Sequence, residues 1–386
     1  MRKTIALTVF LLLLAPLFAS SADADQKYIR RASVTARSGP ASYFDAAFVL
    51  KKGAAVSIAE AKGKWMKVSV EGKDGWIPAT ALTGTKPKGY SAMGAMDAGD
   101  IASSPAGLAA AAKGFASSFA KKAKAQQIER LMSPVMKAKD FIAFLEKFRS
   151  NRPERFLPYE KEYVDPPFME GWESKLGLAI AAKLAGQFGI VQDVDKTVYL
   201  TLMANIIGLR TIRFEIPWKV FILNSDDLNA FGLTDGYILI TQGLINKCGS
   251  EEEVAAILAH EIAHVVRYHN LQEIAKRKVN LKAGSAMAEL DDDEELEGEE
   301  DFEDLEEFAL QAYNHIYKDR LENYEYEADQ LAAVYLYRNG YSPQALISLL
   351  QKVKQAKGDY KAYSGHPPIS KRIAALNAFI QKTKAF

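Results

Sequence analysis

The sequence predicts an α+β chain in two parts, a small all-β barrel followed by a mainly helical domain with a small β-sheet. Three observations predict it. Short runs with alternating apolar positions, parted by Gly53, Gly63 and Gly72, fill residues 28–83 and read as strands joined by tight turns. Helical apolar spacing dominates from about residue 108 onward. Two runs rich in β-branched and aromatic residues, 218–223 and 236–241, interrupt those helices, enough for a small sheet.

Taken in order, the chain opens with Arg2 and Lys3, an apolar run over residues 5–14, Pro16, and the small residues Ala19, Ser20, Ser21 and Ala22. This is the pattern of a cleaved secretory signal peptide, expected over residues 1–22. The run is shorter than the about 20 residues a membrane-spanning helix needs. The mature chain is therefore expected to have no transmembrane span and to be periplasmic or secreted, an uncleaved anchor being the alternative. The 386 residues, 48% hydrophobic with a net charge of +1, suit two globular domains. A near-neutral chain without a basic stripe offers no phosphate-neutralising surface, so nucleic acid is not an expected partner. The single cysteine, Cys248, excludes an intrachain disulfide and reads as buried packing more readily than as a free thiol.

The barrel is expected over residues 27–84. A linker rich in Gly, Ala, Ser, Lys and Pro covers 85–105, and the helical domain covers 106–386. Within that domain an Ala-rich helix is expected over 108–131. A second follows over 140–148, where Phe141, Phe144, Leu145 and Phe148 share one face and read as core. Helices over 173–188 and 196–208 precede the two strands, which are joined through residues 224–235. Ser250 then reads as an N-cap with Glu253 as its capping-box partner, while Glu251 and Glu252 suit the positive helix end. That helix is expected to run through Tyr268 or beyond, with Val254, Ile257, Leu258 and Val265 facing a core. A last long helix, 305–339, ends at Gly340.

On the helix begun at Ser250 stand His260, Glu261, Ile262, Ala263 and His264, the HExxH pattern. One turn separates the histidines, so both imidazoles lie on one face and can share a zinc ion. Glu261 is offset by about 100°, beside the metal, where a carboxylate can take a proton from an attacking water. On the later helix Glu325 and Asp329 lie one turn apart, so one carboxylate can face the metal and the other can hold a ligand histidine by its remote nitrogen. Asp329 is expected to hold His260. Glu322 and Glu327 read as a solvated acidic face. His269 reads as outer support or packing, because a catalytic zinc keeps one position open.

Two resemblances follow from these residues. Val34 to Pro40, with Gly75, Trp76 and Ile77, resembles bacterial SH3 domains. The likeness implies a targeting module with peptidoglycan contact, the alternative being that Trp65 and Trp76 serve only as core. The second part resembles the zinc metallopeptidases that include HtpX and the CAAX prenyl proteases, of gluzincin type, through their soluble exported members. It does so in Asn229, Ala230 and Phe231, in residues 236–244, in the HExxH helix, in Glu325 to Asp329, and in His366, Pro367, Pro368, Arg372 and Ile373. The chain departs from that pattern with Thr234 and Asp235 ahead of Gly236, and with Leu321 and Glu322 before Glu325.

The second resemblance implies one zinc ion per chain, held by His260, His264 and Glu325, with Glu261 as base. His366 is implied to lie near the cleft as a donor, or in a turn fixed by its prolines, and Arg372 to pair with Asp329 or a neighbour. The strand carrying Gly236, Tyr237 and Ile238 is expected to form the cleft's edge, to which an extended substrate adds a strand. The expected function is an exported zinc metalloendopeptidase acting on unfolded or extended polypeptide, in quality control or processing in the cell envelope. The rival readings are a wall-binding scaffold with a vestigial site and a zinc amidase acting on wall peptides. The acidic run 289–307 between the two metal-bearing helices is expected to be a mobile insertion, read either as solvated chain or as a lid.

Overall fold

The computed structural model describes residues 26–31, 33–87, 137–152, 155–159, 173–276, 322–359, 367–383 and 386. The expected signal peptide, the linker beyond residue 87, the helix over 108–131, the insertion 289–307 and His366 lie outside the described residues.

Seven strands build the first part: β1 (Gln26–Ile29), β2 (Ser33–Arg37), β3 (Ala46–Lys51), β4 (Ala55–Lys62), β5 (Trp65–Val70), β6 (Lys73–Pro78) and β7 (Leu82–Thr83). They form one antiparallel sheet in the order β3-β2-β6-β5-β4-β1-β7. The β5–β6 hairpin turns through Glu71 (φ 48°) and Gly72 (φ 79°), the doubly left-handed turn whose twist matches that of the strands. Ile29, Val34, Ala36, Leu50, Val56, Val68 and Ile77 fill the interior. Trp65 and Trp76 do not join them. They lie on the other face of β5 and β6 and bury against Phe214 of the second part. The reading of these tryptophans as barrel core is thus corrected: alternation along a strand sends Trp76 and Ile77 to opposite faces.

The second part begins with α1 (Ala138–Asn151), α2 (Glu173–Phe188) and α3 (Val194–Gly208). Phe141 and Phe148 of α1 are buried in the main core. The sheet consists of β8 (Lys219–Leu223), β9 (Ala230–Gly232) and β10 (Tyr237–Thr241) in the order β8-β10-β9. β10 runs parallel to β8 and antiparallel to β9. The expectation that Gly236, Tyr237 and Ile238 form an edge is therefore overturned. Ile238 pairs with Val220 on one side and Gly232 on the other, and the Tyr237 carbonyl accepts from Leu233 N–H. Gly236 (φ 84°) is the turn that feeds this central strand. The outer strands among the described residues are β8 and β9, and β9 lies inside a stretch read from sequence as a connection. Three residues are too few to show an alternating pattern.

Helices α4 (Gln242–Lys247), α5 (Glu251–Val266), α6 (His269–Lys276), α7 (Glu322–Arg338), α8 (Gln344–Lys357) and α9 (Ile369–Lys382) complete the described fold. Ser250 caps α5 by accepting from Glu253 N–H, while the Glu253 carboxylate accepts from Gly249 N–H (2.6 Å), Ser348 Oγ (2.6 Å) and Lys352 Nζ (2.7 Å). The expected run through Tyr268 does not occur. α5 stops at Val266, Tyr268 takes φ 55°, and α6 starts at His269. A left-handed residue breaks the helical path, and here it redirects the chain back over α5. α5 packs along α7 and against α3, α8 and β9. Among the described residues no helix is long and apolar enough to cross a membrane.

Candidate metal centre

Burial does most of the positioning at the site. Ile257, Leu258, Ile262 and Val265 anchor α5 in the main core, as Ala328, Leu331 and Ala332 anchor α7. With both helices fixed, His260 and His264 on α5 face Glu325 on α7. Their Nε2 atoms lie 3.1 Å apart. Glu325 Oε2 is 3.5 Å from the first and Oε1 is 3.4 Å from the second. His264 and Glu325 are wholly buried.

Charged groups surround this set. His260 Nδ1 lies 3.0 Å from Asp329 Oδ1. Arg372 on α9 grips Asp329 with Nε (2.9 Å) and Nη2 (2.6 Å), and its Nη1 is 3.0 Å from Glu325 Oε2. Burial opposes a charge on His260, yet hydrogen bonds to Asp329 and Glu325 outweigh it and push the pKa up to about 9. Burial likewise opposes the charge of Asp329, and the adjacent Arg372 overcomes it and holds the carboxylate below its usual range. Arg372 is held charged by Asp329 and Glu325 against its own burial.

The Glu261 carboxylate turns toward β9, where its Oε2 accepts from Gly232 N–H at 2.6 Å. The Gly232 carbonyl accepts from Asn270 Nδ2 of α6 at 2.8 Å. Both backbone groups of Gly232 thus turn away from β10 toward α5 and α6. A Cβ on Gly232 would lie 2.5 Å from the Glu261 carbonyl oxygen, so only glycine permits this approach.

The donor set fits a metal. His260, His264 and Glu325 each offer one ligand atom, all within 4.8 Å of one another, and two imidazoles with one carboxylate form a recurrent catalytic zinc set. With Nδ1 of His260 beside Asp329, the atom that faces His264 and Glu325 is Nε2, and a cation would take the place of the proton that the raised pKa keeps there.

Of the residues singled out by sequence, His260, His264, Glu325, Asp329 and Arg372 come together and Glu261 lies beside them. Gly236, Tyr237 and Ile238 stand at the start of the central strand β10 and not on an edge. Glu327 departs from its expectation as solvated surface, since its Oε2 lies 3.2 Å from Arg267 Nη2 and 3.3 Å from His269 Nε2. Gly232 and Asn270 went unrecognised. Gly232 directly follows the Asn229, Ala230, Phe231 block, but nothing in a lone glycine announces that its N–H serves a carboxylate.

An HExxH helix facing a glutamate from a second helix, behind an antiparallel barrel, defines a metallopeptidase-type centre joined to an SH3-like module. Residues 202–380 match the peptidase family M48, and residues 31–84 match the bacterial SH3 domain. The chain is similar to the beta-barrel assembly-enhancing protease of Escherichia coli (strain K12), 26% identical over 212 residues that cover 51% of this chain and 40% of that protein. It is also similar to the mitochondrial metalloendopeptidase OMA1 of Schizosaccharomyces pombe, 29% identical over 175 residues covering 44% and 49%. Against the OMA1 protein of Arabidopsis thaliana the identity is 39% over 61 residues, 16% and 13% of the two chains. The chain spans half or less of the length of these relatives.

Proposed function

We propose that this protein is an exported zinc-dependent metalloendopeptidase that cleaves unfolded or extended polypeptide in the cell envelope, in protein quality control or processing. The observation that carries the reading is the convergence of His260, His264 and Glu325 with the Glu261 carboxylate held beside them by Gly232. The printed names of the M48 relatives, a protease of β-barrel assembly and a metalloendopeptidase, support the reaction class.

In this reading His260, His264 and Glu325 would hold one zinc ion, which when bound would supply Lewis acidity at the scissile carbonyl and the attacking water. Glu261 takes the proton of that water and returns it to the leaving amine. The hydrogen bond from Gly232 N–H holds the Glu261 carboxylate in place. Asp329 holds His260 by Nδ1, and Arg372 fixes Asp329 while balancing the buried negative charge. An extended substrate lies beside the helix that carries Glu261 and does not pair with Gly232 of β9, whose two backbone groups are taken by Glu261 and Asn270. Any wall contact made by the barrel uses a face other than Trp65 and Trp76, because Phe214 covers them.

The test is hydrolysis of an unfolded protein by the chain and by Glu261→Gln, with zinc measured in both. Cleavage by the first and zinc-loaded inactivity of the second is the expected result. Zinc in both with cleavage by neither would favour the scaffold reading.

A further inference from the structure

His269 lies five residues after His264, yet Tyr268 at φ 55° turns α6 back so that the two rings meet. Their Nδ1 atoms are 2.9 Å apart. The other nitrogen of His269, Nε2, is 3.3 Å from Glu327 Oε2, and Arg267 Nη2 lies 3.2 Å from the same oxygen. The Tyr324 ring stacks on His269 at 4.2 Å between centroids and 10° between planes. Tyr324 OH donates to Gln272 Oε1 of α6, so the stack ties α6 to α7.

Proton accounting gives this chain a direction. An ionised carboxylate can only accept, so the His269 Nε2 beside Glu327 carries a hydrogen. A neutral imidazole has one N–H, which makes His269 Nδ1 an acceptor. The proton in the 2.9 Å contact then sits on His264 Nδ1, and His264 Nε2 is left with its lone pair. That is the atom facing His260 Nε2 and Glu325.

We propose that His269 and Glu327 act as positioning residues that fix the metal-binding tautomer of His264, as Asp329 does for His260. The inference rests on the metal-centre reading above. The two devices differ in reach. Asp329 is itself buried and touches its histidine directly, whereas the Glu327 side chain is 39% exposed. His269 carries the influence of that half-solvated carboxylate to a wholly buried imidazole without placing another charge in the core. Loss of such an outer partner characteristically weakens metal binding by about 10–100-fold.

The experiment is zinc affinity of the full chain by competition with a chromophoric chelator, with thermal unfolding of each metal-free variant. His269→Leu is expected to weaken zinc binding by about 10–100-fold. His269→Gln, whose amide oxygen can still accept from His264 Nδ1–H, stays near wild type. Glu327→Leu, on a side chain 39% exposed, weakens binding in the same direction. The double variant with His269→Leu loses less than the two singles combined, because both act through one relay. Unchanged affinity in His269→Leu or in Glu327→Leu overturns the proposal. So does an equal loss in His269→Leu and His269→Gln that tracks their unfolding temperatures, which marks His269 as packing alone. A wild-type chain that takes up no zinc defeats the metal-centre reading first, and the relay with it.

Discussion

In the barrel, three of the six strand pairings, β2–β3, β4–β5 and β5–β6, join strands that are consecutive along the chain. β5 and β6 meet through a tight turn and pair from Trp65↔Pro78 to Val70↔Lys73. The metal centre is assembled the other way: Gly232 reaches Glu261 across 29 residues, Arg372 reaches Asp329 across 43, and His269 reaches Glu327 across 58. A region built from hairpins can lose one contact and keep its topology. A centre built from distant segments depends on the packing of every helix that carries a member. The two regions meet at a small aromatic junction, where Trp65 meets Phe214 edge-on at 5.8 Å, Lys64 Nζ lies 4.7 Å over that ring, and Arg31 pairs with Glu215 at 2.8 Å.

The junction provides the largest expected effect. Truncating a buried phenylalanine costs about 3–5 kcal/mol, so Phe214→Ala is expected to uncouple the barrel from the peptidase segment. Calorimetry should then resolve a separate barrel transition, and the fluorescence of Trp65 and Trp76 should shift toward that of exposed indole. An unchanged melting profile would mean that the two regions are held by other contacts.

The next effect falls on the site itself. Gly232→Ala places a methyl 2.5 Å from the Glu261 carbonyl and displaces β9 from α5. Misplacing a catalytic group by about 1 Å can cost about 100-fold, and a loss of that size in kcat/KM is expected at unchanged zinc content. Full activity in this variant would show that Glu261 does not depend on the strand for its position.

How much of this was legible in the sequence follows from the same contrast. The HExxH spacing, the Ser250 cap and the glycine turns are local, and local rules found them. Glu325 needed a family likeness, because no periodicity says which carboxylate of a distant helix will face a histidine. β10 was read as an edge because sequence gives a strand's existence but not its neighbours, and β9 is too short to show a period. Tyr268 carries no signal for a left-handed turn, so α5 and α6 read as one helix and the return of His269 onto His264 stayed hidden. Glu327 looked like solvated surface because its partners, Arg267 and His269, become neighbours only after α6 folds back.

A smaller effect is expected at the start of α5. Glu253 is buried, which opposes its charge, but Lys352, Ser348 Oγ and Gly249 N–H outweigh that and hold its pKa below the ordinary 4.5. A depressed carboxylate pKa stabilises the fold above the unfolded value and loses that contribution as pH falls through the folded one. Glu253→Gln is expected to cost about 1–3 kcal/mol at neutral pH. Denaturant titrations should show the gap between wild type and variant closing below pH 4.5. A gap that persists in acid would assign the loss to packing and not to charge.

The smallest effect concerns Cys248, whose sulfhydryl donates to the Leu244 carbonyl at 3.6 Å. Burial pushes its pKa from 9.0 up to about 12, and the nearby Glu253 charge adds to the shift. A thiol held that far above its ordinary pKa carries far less of the reactive thiolate at pH 8 than an unperturbed one. Alkylation of the folded chain should be slow at that pH and become fast in denaturant. Glu253→Gln removes the charge that adds to the raised pKa and should speed the reaction modestly while the chain stays folded. A thiol that reacts in the native protein as fast as in denaturant would show that the turn between α4 and α5 opens readily, and would transfer to that turn the local instability that the comparison assigns to neither region.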